Sequence, residues 1–419
     1  MNSLQKFSGQ RPGRRMAFLA ALALSLLTGC AGSQPGPSPY MFPGAGLGDE
    51  AGCDLRLLSV LAPDRNRVMR RPILVGLMAM FFVLMVGAIV WANVHRPRIL
   101  VLHSYATDYV WTRDVNMGLR RVLDRQSWIS TRYYYMDTKT SADKDLLRRA
   151  GIGARDTIDR LRPDVLIAMD DYAQELAAKY YVNDRRMKIV FGGINGGIEP
   201  YGYDKASNVT GILERKPAEA IKDVVTLLSQ AAGRDPEKGA RVRIMLLADQ
   251  TISTQRDAEY LKTFAWSPLI YRDARFVGDF ETWKAAVRAA PAETDFLLVG
   301  GYRQLKPRPD SGPKERYVSA RDVMEWTEEN SPVPVIGTNP FNTEDGAMLS
   351  VGVSPYEQGE TMAEMARMII EKGVAPKAIP IRTSHQYVVA FRKSALERRH
   401  MKVPQIFEAF ARATENYYP

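Results

Sequence analysis

Residues 165–195 read VLIAMDDYAQELAAKYYVNDRRMKIVFGGIN. An uninterrupted apolar run, Val165–Met169, opens this stretch, and a second β-rich run, Lys188–Phe191, is followed by Gly192 and Gly193. Between them, Ala173–Tyr181 reads as a short helix. A strand that is apolar at every position is covered on both faces, which is the condition of a parallel sheet. The strand–helix–strand order supplies the crossover that parallel strands require.

The pattern extends in both directions. Upstream, Arg98–His103 is a strand, Val115, Leu119, Val122 and Leu123 mark a helix, Tyr133–Met136 is a strand and Leu146–Leu161 a helix. Downstream, Pro217 opens a helix that carries Ile221, Val224, Val225 and Leu228 on one face. Strands are expected at Val242–Leu247, Leu269–Phe276, Phe296–Val299, Val333–Ile336, Ala347–Val353 and Gln386–Phe391. Helices fall at Thr254–Phe264, Glu281–Ala289 and Ala320–Glu329, then along Met362, Met365, Ile369 and Ile370. The fold class is therefore α/β, with two doubly wound parallel-sheet lobes of about 100–150 residues each.

The chain has 419 residues, 46% hydrophobic and 25% charged, which excludes a largely disordered, collagen-like or coiled-coil protein. Its net charge of +10 invites a nucleic-acid reading. Residues 1–95, however, hold nine Lys/Arg against four Asp/Glu, and the remaining 48 against 43 leave the larger part almost balanced. Half of the excess thus flanks apolar segments and reads as membrane topology, so no nucleic-acid partner is expected. Cys30 and Cys53 are the two cysteines, so residues 96–419 have neither disulfides nor a Cys-ligated metal site.

Two membrane signals lie in the N-terminal stretch. Lys6, Arg11, Arg14 and Arg15 precede the apolar run Met16–Leu27, which ends in Leu27-Thr28-Gly29-Cys30. This ending resembles a bacterial lipobox, which would make Cys30 the lipidated first residue. Residues 31–52 are Gly-, Pro- and Ser-rich linker. A second run, Pro72–Ala92, has 21 uncharged residues, ~32 Å as a helix and enough to span a bilayer. Arg65, Arg67, Arg70 and Arg71 before it hold that end in the cytoplasm and export residues 96–419. Used together in the simplest way, the two signals contradict each other. Translation from Met69, with residues 1–68 an overextended gene model and 72–94 a signal anchor, resolves the conflict; the alternative is a lipoprotein whose second run packs elsewhere.

Open parallel sheets bind ligands beyond the carboxyl ends of their strands. The residues there are Ser104, Tyr105, Asp170, Asp171, Tyr172, Asn195, Asp249, Tyr302, Thr338 and Asn339, with Trp111 close by in sequence to the first pair. They are polar, small and aromatic, as a cleft for a small polar solute requires. Hydroxyls and amides suit a carboxylate or carbonyl, the aspartates a cationic group, and Tyr105, Trp111 and Tyr172 a ring. Competing readings exist: Asp171 as a helix N-cap, Gly192, Gly193, Gly300 and Gly301 as tight turns, and His103 as a structural strand end. The sequence has no G-x-x-x-x-G-K-[ST], H-E-x-x-H or G-x-S-x-G and no dinucleotide fingerprint, so neither catalysis, metal nor cofactor is expected.

Seven segments and one tryptophan carry a family resemblance: VLHSY (101–105) with Trp111, MDTK (136–139), DDYAQ (170–174), VFGGIN (190–195), NVTGILE (208–214), PVPVIGT (332–338) and VGVSPYEQG (351–359). Together they resemble the ABC transporter substrate-binding protein family, in the branch related to tryptophan/tyrosine transport binding proteins, over about residues 97–405. The resemblance implies the type I periplasmic binding fold, two lobes joined by three crossings with a solute enclosed at the hinge. It places lobe 1 at 96–210 plus 347–375, lobe 2 at 211–346 plus 376–392, and a helical tail at 393–419. The crossings are expected near Asn208–Glu214, Asn339–Gly346 and Gly373–Pro380. The partners it implies are a small-molecule solute and an ABC permease or a membrane sensor protein, at the outer side of the cytoplasmic membrane. A ligand-sensing module acting on a separate kinase or cyclase, and at a distance an α/β enzyme, are the alternatives. Tyr172 and the Pro-rich loop 303–316 depart from the family pattern beside the expected cleft.

Overall fold

The computed structural model describes residues 65–139, 144–312, 315–403 and 405–419. Cys30, the linker after it and the expected cleavage region lie outside them. Among the described residues, those up to Met80 belong to one unit and Phe81–Pro419 to another. Helix α1 (Arg65–Val94) has 30 residues. Its stretch Arg71–Val94 is long and apolar enough to cross a membrane.

In the body, β1 (Arg98–His103), β2 (Ser130–Tyr135), β3 (Val165–Met169), β4 (Lys188–Ile194), β5 (Val209–Leu213) and β12 (Arg382–Thr383) form one sheet in the order β12-β5-β4-β3-β1-β2. All its pairs are parallel. Alternate residues feed two cores. Ile99, Val101, Val165 and Ile167 face α2 (Val110–Leu123) and α10 (Pro355–Lys372), while Leu100, Leu102, Leu166 and Ala168 face α3 (Lys144–Leu161) and α4 (Asp170–Leu176). Both faces are covered, which is why β3 reads as a continuous apolar run.

The second sheet runs β14-β13-β11-β10-β9-β6-β7, with β8 also on β6. Its strands are β6 (Arg243–Asp249), β7 (Ile270–Tyr271), β8 (Arg275–Val277), β9 (Phe296–Val299), β10 (Val335–Gly337), β11 (Leu349–Val353), β13 (Tyr387–Arg392) and β14 (Tyr417–Tyr418). Again the residues alternate. Ile244 and Leu246 join the core built by α5 (Ala218–Ala231) and α6 (Ile252–Thr263), and Met245 and Leu247 join that of α7 (Phe280–Glu293) and α8 (Ala320–Asn330). β13 runs antiparallel to β11 and β14 runs parallel to β13, so these two edge strands oppose the rest of the sheet. The expected single strand Leu269–Phe276 is two short ones, interrupted at Arg272–Ala274.

Sheet membership departs from the expected lobe boundaries. Residues Leu349–Val353, assigned to lobe 1, pair with β10 and β13 in the second sheet. Residues Arg382–Thr383, assigned to lobe 2, pair with β5 in the first. The segment at Asn339–Gly346 stays in the second lobe as a short helix, α9 (Phe341–Glu344), so the chain crosses at Ser354 instead. The third crossing falls at Ser384–Gln386 rather than Gly373–Pro380. A buried apolar strand has the same pattern in either sheet, so sequence alone does not choose its partner. The expected helical tail contains α11 (Lys393–Arg398) and α12 (Gln405–Ala413) but ends in β14, which pairs with β13.

The three crossings are stitched to one another. Ser354 N–H donates to Gln386 O at 3.0 Å, Ser384 N–H to Leu213 O at 3.0 Å, and Arg215 N–H to Ser384 Oγ at 3.1 Å. The Glu357 carboxylate accepts the N–H groups of His385 and Gln386. Short connections held to one another in this way join the two sheets.

Packing of α2 on α10 is set by two glycines. A Cβ on Gly359 would run into Val115 O and stand 2.7 Å from Leu119 N; one on Gly118 would meet the backbone of Tyr356. The obstacles are backbone atoms that have nowhere to yield. Gly359→Ala should therefore cost about 1–3 kcal/mol, read as a melting temperature several degrees lower. An unchanged melting temperature would show that the two helices have room to separate.

Candidate functional site

The carboxyl ends of both sheets face a cavity of about 50 Å³. Its first-lobe wall is Tyr105, Tyr109, Trp111, Lys139, Asp170 and Asn195. Opposite stand Ser253, Thr254, Asp257, Gly301, Asn339 and Phe341, with Glu214 and Lys216 of the first crossing between the two walls.

Asp170 is the most constrained of these. It opens α4 directly from β3 with φ +68, the left-handed region that costs a side-chain-bearing residue energy, though Asp tolerates it better than most. The space for its carboxyl comes from Gly193, where a Cβ would sit 2.7 Å from Asp170 Oδ1. Trp111 Nε1–H donates to that oxygen at 3.0 Å. Oδ2 is buried and has no hydrogen-bond partner among the described residues, and the residue is only 4% exposed. Burial, with Glu214 and Asp171 nearby, pushes the carboxyl pKa well above the ordinary range. A donor that brought positive charge to Oδ2 would relieve that cost.

Lys139 lies across the cavity's aromatic wall, its ammonium 4.8 Å from the Tyr105 ring centre and 5.9 Å from that of Tyr109. Burial disfavours the charged form, yet Tyr109, Asp249 and Asp170 outweigh it and raise the pKa. The site thus offers an ammonium and a carboxyl group on one wall.

Lys216 is a different case, because its ammonium is fully engaged. It donates to Asn339 Oδ1 at 2.7 Å and Glu214 Oε1 at 3.0 Å, and pairs with Asp257 Oδ2 at 3.2 Å. Burial opposes its charge, but Asp257 and Glu214 prevail and raise its pKa. Asp257 in turn is pushed up to about 6 by burial, with Lys216 pulling it down and Glu214 adding to the rise. Asn195 Nδ2 donates to Asp257 Oδ1 at 2.9 Å, joining the lobes through the cavity wall.

Of the residues expected at the site, Tyr105, Trp111, Asp170, Asn195 and Asn339 line the cavity. The others are engaged elsewhere. Ser104 Oγ donates to Met169 O at 2.7 Å and accepts Ala173 N–H, tying β1 to the start of α4. Asp171 accepts from Tyr201 Oη at 2.7 Å and pairs with Arg256. Tyr172 packs on the first-sheet core. Asp249 receives Thr251 and Thr254 at the start of α6, Tyr302 donates to Asp345 at 2.6 Å within the second-lobe core, and Thr338 Oγ1 donates to Val299 O at 3.2 Å. His103 is buried, with Nε2 2.9 Å from Asn116 Oδ1. Sequence reasoning missed Tyr109, Lys139, Glu214, Lys216, Ser253, Thr254, Asp257 and Phe341. Lys139 ends the MDTK segment after β2, and Glu214 and Lys216 directly follow β5, so all three stand at strand ends. Asp257 lies two turns into α6 and gives no such signal.

Residues 313–414 match the family described as ABC transporter substrate binding protein. No curated protein matches the chain. Among solved structures, a conserved domain protein from Vibrio cholerae is similar at TM-score 0.54 and 15% identity over 75% of this chain and 98% of that one. An ABC domain from Streptococcus pneumonia, solved with L-Trp, gives 0.54 and 13% over 75% and 98%. A ligand-free, open substrate binding protein with adhesive properties from Clostridium difficile gives 0.53 and 14% over 77% and 98%. At these identities the structural likeness speaks for the fold, and the fold is the one the sequence resemblance implied.

Proposed function

We propose that this chain, a substrate-binding protein of the ABC transporter type, closes its two lobes around a small amino-acid-like or aromatic solute and presents it to an ABC permease. The Asp170 carboxylate takes the solute's cationic group, Lys139 its anionic or carbonyl end, and Tyr105, Tyr109, Trp111 and Phe341 its apolar part. The helix Arg71–Val94 holds the protein in the cytoplasmic membrane with the body outside. One observation carries the reading above the others. A buried carboxylate oxygen with no partner among the described residues, in a strained backbone conformation, is costly to a protein with no use for it, and it belongs to a residue that lines the cavity. The L-Trp bound to the pneumococcal ABC domain supports amino acids and aromatics as the first probes.

The test is a thermal-shift series on the full-length chain in detergent, with amino acids, aromatics, purines, sugars and oligopeptides. A solute at 100 times its Kd should add ~2.7 kcal/mol of stability. That corresponds to a rise of roughly 5–10 °C. A hit confined to amino acids or aromatic amines supports the assignment. A response to sugars or purines alone contradicts it.

A further inference from the structure

Asp171, Tyr201 and Arg256 form a polar cluster that touches both lobes but does not line the cavity. Asp171 is the second residue of α4 and is 2% exposed. Its Oδ1 accepts from Tyr201 Oη at 2.7 Å and from Arg256 Nη1 of α6, and Arg256 Nη1 also lies 2.6 Å from Tyr201 Oη. The guanidinium stands 5.6 Å from the Tyr201 ring centre. Passage for the arginine stem is provided by Gly196, where a Cβ would fall 2.7 Å from Arg256 Cδ. Burial nevertheless raises the Asp171 pKa despite Arg256 and Tyr201, and the cation paired with it comes from the opposite lobe. When the lobes part, Asp171 loses that partner.

We infer that Asp171, Tyr201 and Arg256 are a latch that holds the lobes together whether or not a solute is present, and so sets solute affinity without touching the solute. The inference rests on the two-lobe binding reading above and concerns its regulation. A site whose closed form is favoured beforehand binds more tightly, because the apparent Kd is the intrinsic one divided by the competent fraction. Arg256 and Tyr201 are positioning residues in this sense, and Gly196 is the clearance that lets the stem of Arg256 pass.

The experiment measures lobe separation directly and needs no solute. Spin labels are placed at the exposed residues Lys205 and Glu259, replaced by cysteine in the full-length chain carrying Cys30→Ser and Cys53→Ser, and their distance distribution is recorded by pulsed dipolar spectroscopy. The unaltered latch should give a dominant short distance. Arg256→Met should raise the ratio of long to short populations about tenfold, and Arg256→Lys should restore most of the short one. Because Arg256→Met leaves Asp171 buried without its cation, the pair Asp171→Asn with Arg256→Met is measured too, and it should open the lobes equally with an intact melting transition. A distribution unchanged in Arg256→Met and in the pair overturns the latch. If the latch variants open but no solute in the thermal series stabilises the chain, the proposed function has failed and the latch has not.

Discussion

Asp170→Asn should lower affinity for an ammonium-bearing solute by about 10- to 100-fold while leaving the melting temperature of the solute-free chain equal or higher. A hydrogen bond to a charged partner contributes ~1.5–3 kcal/mol, and each ~1.4 kcal/mol is a factor of ten in Kd. Asparagine keeps the shape, accepts the left-handed φ of this position as aspartate does, and retains an oxygen for Trp111 Nε1–H. What it removes is the negative charge facing the cavity. In the folded chain that charge is disfavoured by burial, Glu214 and Asp171, so a raised carboxyl pKa contributes stability only at low pH and loses it as pH rises. Neutralising it therefore relieves the solute-free protein and weakens the complex. Calorimetric titration beside a thermal scan separates the two effects. Equal affinity in Asp170→Asn would mean that the solute's charge is met elsewhere. Lower stability would mean that the carboxylate serves the fold.

Lys216→Met carries the largest expected loss of stability. The methionine fills similar space but leaves Glu214 and Asp257 buried against each other with no cation. Breaking a buried ion pair by removing one partner typically costs ~3–5 kcal/mol, a fall of roughly 10 °C here. The loss should depend on pH in a fixed direction. Asp257 already has its pKa raised to about 6, above the ~3.9 of an unfolded aspartate, so its contribution is present at acid pH and disappears as pH rises through about 6. Without Lys216, which pulls that value down, it rises further. The deficit relative to the unaltered chain should be greatest above pH 7 and shrink toward pH 5. A deficit independent of pH would locate the damage in packing rather than in charge.

The fold was legible in the sequence because the first sheet is parallel, the second is parallel but for its β13–β14 edge, and both are doubly covered. Runs such as Val165–Met169 and Phe296–Val299 are apolar at every position, and the helices between them carry clear stripes. What could not be read was partnership. Leu349–Val353 and Arg382–Thr383 are strands in either lobe by composition, and only the hydrogen-bonded register assigns the first to the second sheet and the second to the first. The site was legible in the same measure. Tyr105, Asp170, Asn195 and Asn339 follow strand ends and do line the cavity. Ser104 and Asp249 also follow strand ends, but a helix start consumes each, since a hydroxyl or carboxylate beside free N–H groups caps them. Asp171 looked like a partner for a solute cation, whereas its cation is Arg256, 85 residues away in sequence. Charge pairing across a cleft has no local pattern, and the same holds for Lys216 with Asn339.

The most direct test of solute capture between the lobes is hydrogen–deuterium exchange on the full-length chain, with and without L-tryptophan or another solute that stabilises it in the thermal series. Capture between the lobes should add protection on both walls together, in the peptides carrying Tyr105–Trp111, Lys139, Asp170, Asn195, Glu214–Lys216, Ser253–Asp257 and Asn339–Phe341. Protection confined to one lobe would contradict it.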